Sequence, residues 1–65
     1  MSTRELQQGD VIEVLEVHYP GREVWVRGTI MRINDARVDV LMQAGENKGK
    51  FLALEPHRRN QTWRG

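Results

Sequence analysis

Five basic side chains and a tryptophan gather toward one end of this sequence: Lys48, Lys50, Arg58, Arg59 and Arg64, with Trp63 among them. Basic groups interleaved with exposed aromatic rings are what a nucleic-acid groove needs. Lys and Arg neutralise phosphates and release counterions, while rings stack on bases. Between Gly45 and Gly65 only Glu46 and Glu55 oppose these charges, and no acid follows Pro56. A second group lies upstream. Trp25 and Arg27 point the same way if they share a strand, and Arg22 is close by. The candidate contact residues are therefore Trp25, Arg27, Lys48, Lys50, Arg58, Arg59, Trp63 and Arg64. Tyr19, Trp25 and Phe51 are the candidates for an aromatic pocket, although core packing accounts equally well for Phe51. Trp63 either clamps an open end of the fold or is exposed.

Catalytic chemistry finds few members. Cysteine is absent and the one serine, Ser2, stands at the terminus. A nucleophile–base arrangement is left with threonine alone. Carboxylates are scattered singly, and Glu13 and Glu16 fall on opposite faces if their segment is a strand, so no paired-acid site is suggested. His18 and His57 are too few for a zinc site without cysteine. Gly45 and Gly49 punctuate a loop and form no phosphate-cradling motif. The expectation is a non-catalytic module with no cofactor or metal. A pore built by several copies is the one route to an enzyme that a single chain does not exclude.

Sixty-five residues make one domain, and a chain this short buries only ~60% of the surface its unfolded form exposes. Disulfides are ruled out, so a well-packed core, or self-association, must hold it. Ten basic and nine acidic side chains leave a net charge of +1. That value alone argues for no partner; the basic end does. No apolar run approaches the ~20 residues that span a bilayer, and the polar start from Met1 to Gln8 does not read as a signal peptide. The expected location is the cytoplasm, without membrane contact.

Several short strands must position these residues. In Arg37–Met42, Val38, Val40 and Met42 alternate with Asp39 and Leu41, the period of a half-buried strand. The run Glu23–Ile33 is rich in Val, Trp, Thr and Ile, and Asn34-Asp35-Ala36 supplies a turn between the two. They read as an antiparallel hairpin. Gly28 inside its first arm marks a bend or a close backbone approach. Val11–Val17 is expected as a strand with Ile12 and Val14 inward, although Val11, Val14 and Val17 also match a helical spacing. Pro20-Gly21 marks a turn. Lys50–Leu54 reads as a fourth strand with Leu52 and Leu54 on one face and Phe51 on the other. A single helical turn is expected near Glu55-Pro56-His57, then a short fifth strand over Gln61–Arg64. The expected boundaries are a flexible segment 1–8 and a domain 9–65.

Trp25-Val26-Arg27-Gly28-Thr29-Ile30, then Ile33, the turn and Val38-Asp39-Val40-Leu41, resemble the Tudor-type SH3-like barrels, a group that includes Agenet and KOW-like modules. Gly9-Asp10 with Ile12-Glu13-Val14, and Leu54-Glu55-Pro56, are similar to the family's ends, so residues 9–56 carry the likeness. It implies an all-β, five-stranded SH3-like (Tudor-like) barrel that binds a partner. Methyl-reading members build a cage from several aromatics, partly on and just after the strand that follows the turn. Here Leu41-Met42-Gln43-Ala44-Gly45 has none, and Trp25 is the one match. A single ring makes no cage for a quaternary ammonium. Nucleic acid is thus the leading expected partner. A docked protein, or a homo-oligomer in which this chain is a structural subunit, is the alternative.

Overall fold

Apolar residues at alternate positions turn one face of the strands to the core and leave the other to solvent. The computed structural model describes residues 5–65. It contains β1 (Val11–His18), β2 (Arg22–Ile33), β3 (Val38–Met42), β4 (Phe51–Leu54), a 3₁₀ turn (Pro56–Arg58) and β5 (Trp63–Arg64). These form one antiparallel sheet in the order β4-β3-β2-β1-β5. Of the expected flexible segment, residues 1–4 lie outside the described residues. Leu6 packs against the core, and Gln7 N donates to the Asp10 carboxylate at 2.8 Å, so packing begins before Gly9.

The twelve-residue β2 organises the sheet. Its Arg22–Thr29 stretch pairs with β1, and Gly28–Ile33 pairs with β3, so only Gly28 and Thr29 have a strand on both sides. Such a strand must curl where its partners change. Gly28 permits this: a Cβ there would overlap Val40 Cγ1 and sit 3.2 Å from Met42 Sδ. A bulge between Ile30 and Arg32 adds to the bend. The β2–β3 turn is closed by Asn34, whose Oδ1 accepts from the amides of Ala36 (2.8 Å) and Arg37 (2.9 Å).

The inward face collects Ile12, Val14, Val26, Ile30, Val38, Val40, Met42 and Trp63 into the core, with Leu6, Val24, Ile33, Leu52 and Leu54 against it. The strand reading of β1 holds: Val14 is buried while Val11 and Val17 are exposed, the alternation of a strand. One expectation is corrected. The sheet is not closed into a barrel, because β4 and β5 are its two ends and do not pair with each other; β5 has only two residues. Of the two readings open for Phe51, the structure excludes core packing, and the ring takes the expected face opposite Leu52 and Leu54. Its register opposite Leu41 turns it outward, and it is 65% exposed.

Candidate functional site

The outward face is assembled by cross-strand register. Paired residues share a face, so Val11 on β1, Thr29 on β2, Leu41 on β3 and Phe51 on β4 form one row across four strands. To one side of that row lie Glu13, Arg27 and Arg64, since Glu13 pairs with both Arg27 and Arg64. To the other side lie Arg32, Asp39 and Ala53.

On the Glu13 side, Arg64 Nε donates to Glu13 Oε1 at 2.9 Å. The same guanidinium lies over the Trp25 ring, 4.0 Å from its centroid. The face of Trp25 therefore already carries a cation. On the Asp39 side, Arg37 Nε pairs with Asp39 at 2.8 Å. A shallow cleft of about 410 Å³ opens there, lined by Met31, Arg32, Arg37, Asp39 and Phe51. Arg27 and Arg32 are exposed and have no ion pair among the described residues.

The basic C-terminal segment has a different character from the one its sequence suggests. Trp63 is 2% exposed, and its indole Nε1 donates to Glu55 O at 2.8 Å. It fills the core and presents no ring face to a base, which removes it from the contact set. Arg58 pairs with Glu55 at 2.9 Å, and His57 reaches the same carboxylate at 3.1 Å. Arg59 donates to the Gly65 carbonyl and lies 5.9 Å from the Trp63 ring centroid. Arg64 is held by Glu13 and Trp25. Each arginine of the last ten residues is thus engaged within the fold. Lys48 and Lys50 have no ion pair among the described residues, and Lys50 directly precedes Phe51.

The three proposed pocket aromatics do not meet. Trp25 lines a cleft of about 530 Å³ with Glu16, His18 and Gly45, Phe51 lines the one described above, and Tyr19, 99% exposed at the β1–β2 turn, lines neither.

That larger cleft contains a group the sequence reading passed over. Glu16 follows Ile12 and Val14 on the inward face, where it is 8% exposed. His18 Nε2 donates to its Oε1 at 2.9 Å, and the Glu46 amide approaches the same oxygen at 3.5 Å. The hydrogen bond from His18 holds the Glu16 carboxyl below its ordinary range. The Glu46 and Asn47 amides and the His18 charge act in the same direction, and they outweigh the desolvation that pushes it up. Gly45, at φ +80, packs on the carboxylate so closely that a Cβ would come within 2.5 Å of Oε2. The carboxylate thereby ties the β3–β4 loop to β1. Alternation from Val14 was the available signal, since it places an acid on the core face.

Arg32 was also missed, for a traceable reason. Period two from Trp25 through Thr29 turns residue 32 inward. The bulge at Met31 reverses the phase, so Arg32 pairs with outward-facing Asp39.

Set against known proteins, the chain matches no family model, no curated protein and no solved structure. Among the described residues, no helix is long and apolar enough to cross a membrane, and no three His, Asp or Glu side chains form a group able to hold a metal ion.

Proposed function

We propose that this chain is a small non-catalytic binding module of the SH3-like, Tudor-like type, left open between β4 and β5, that contacts nucleic acid through its outward sheet face. One observation carries the reading: Arg27 and Arg32 stand unpaired among the described residues on the same face as the exposed Phe51 ring. The acids near them are neutralised in place, Glu13 by Arg64 and Asp39 by Arg37. Glu23 sits at the far end of β2, across from Val17. The centre of the face is thus net basic.

Binding of this kind is dominated by phosphate contacts and weakens as salt rises. Replacing Arg27 and Arg32 together by Ala should lower affinity for an oligonucleotide. It should also reduce the slope of log affinity against log salt by about one for each phosphate that is no longer neutralised. Anisotropy of a labelled oligonucleotide measured over a salt series reads both quantities. An unchanged slope in the double variant removes the face as the site.

A second reading draws on the apolar row. Val11 and Phe51 are 58% and 65% exposed, with Leu41 between them in the row. A docked protein or a second copy of this chain would cover such a row. Association by that route tolerates high salt, since apolar burial is not screened.

A further inference from the structure

We infer that the outward face takes single-stranded rather than double-stranded nucleic acid, with an unpaired base laid in the cleft beside Phe51. This inference rests on the nucleic-acid reading above and names the substrate of that same site.

The chemistry of the cleft is the ground for it. Phe51 and Met31, 65% and 40% exposed, supply its apolar walls, and Arg32 supplies its unpaired cation among the described residues. Arg37 is held in place by Asp39. A ring gains nothing from a phosphate. Its partner must be an apolar face, and a duplex keeps its base faces stacked against one another. An unpaired nucleotide offers both halves at once, a π-face for Phe51 and a phosphate for Arg32.

The dimensions agree. Neighbouring strands lie ~4.8 Å apart, so the row from Val11 to Phe51 crosses three spacings, roughly 14 Å. That is room for a short run of nucleotides across the strands. Arg27 stands one pair beyond Thr29 toward the Trp25 corner, so a cation flanks that end of the row, and Arg32 lies beside Phe51 in the cleft at the other. Trp25 is not the primary platform, because the Arg64 guanidinium occupies its face at 4.0 Å. Phe51 is the ring on this face with no such cover among the described residues. An exposed ring at that position also has no structural duty, since the inward positions of β4 belong to Leu52 and Leu54.

The test is anisotropy of the whole chain against a labelled single strand of about ten nucleotides, a length within the range such sites cover. The same sequence is also presented as a closed hairpin duplex, both at low salt. The single strand should bind at least about tenfold more tightly, and Phe51→Ala should reduce its affinity about tenfold, the scale of one base–aromatic stack. Phe51→Trp should keep the affinity and report it as fluorescence quenching. Circular dichroism of both variants should match the parent, because the side chain is outside the core. Equal binding of strand and duplex, or an unaffected Phe51→Ala variant, would overturn the inference while leaving nucleic-acid binding intact. Absence of binding to either form at low salt would overturn both.

Discussion

The molecule has two regions that join cations to aromatic rings, and only one of them leaves those groups free. In the C-terminal segment, Trp63 is in the core and Arg58, Arg59 and Arg64 are each engaged by a carboxylate, a carbonyl or a ring. On the outward face, Phe51 is exposed and Arg27 and Arg32 are unpaired among the described residues. Counting charges along the chain favours the first region. The three-dimensional partners favour the second, because Glu13 lies 51 residues before Arg64 yet meets it through the β1–β5 pairing. Local density of basic residues is therefore a poor guide to which cations are available.

The sharpest way to separate the regions is to truncate one ring from each. Trp63→Ala should cost about 3–5 kcal/mol, the usual loss for a buried aromatic, and at this chain length that is most of the stability. Phe51→Ala should stay within about 0.5 kcal/mol. Urea denaturation of the two variants reads both values. Similar losses would mean that the two rings do not differ in burial as described.

Gly28 tests the curl that separates the inward from the outward face. A Cβ at this position overlaps Val40 and crowds Met42, so Gly28→Ala should destabilise by about 1–3 kcal/mol, as overpacking does. A neutral or stabilised variant, measured the same way, would show that β2 does not need that close approach.

The exposed cations should divide in the same manner. Arg58→Ala with Arg59→Ala should change the salt slope of oligonucleotide binding less than Arg27→Ala with Arg32→Ala, since the former pair is already engaged within the fold. The stability of either double variant should move little, because exposed ion pairs contribute ~0.2–1 kcal/mol.

Two glutamates of β1 offer the smallest contrast. Glu13 is half exposed on the outward face, paired with Arg64, while Glu16 is buried under Gly45 beside His18. The folded state depresses the Glu16 carboxyl, so its contribution is complete above the unfolded glutamate range. That contribution is lost as pH falls through the lower, folded value. Glu16→Gln should flatten the acid side of the stability profile, read as thermal midpoint against pH. Identical acid limbs for parent and Glu16→Gln would contradict the role given to the loop tie.

Much of the architecture was legible in the residues. The alternation of Val38, Val40 and Met42, the Asn34 turn and the inward pair Ile12 and Val14 each reflect a local rule that the fold obeys. Gly28 announced the close approach it makes. The open edge between β4 and β5 was not legible, because pairing between chain-distant strands leaves no local mark. The site was only partly readable. Trp25 and Arg27 do share the outward face, but the burial of Trp63 depends on the Glu55 carbonyl and a core built by four other strands. Arg32 was hidden by a one-residue bulge, which reverses every face beyond it.

The most direct test of the outward face is an NMR titration of the labelled protein with an oligonucleotide at low and at physiological salt. Shifts are expected at Arg27, Thr29, Arg32, Leu41 and Phe51 that fade as salt rises, with the Arg58–Trp63 segment nearly still. Shifts centred on Arg58, Arg59 and their neighbours, with the Phe51 face unmoved, would contradict that face as the site.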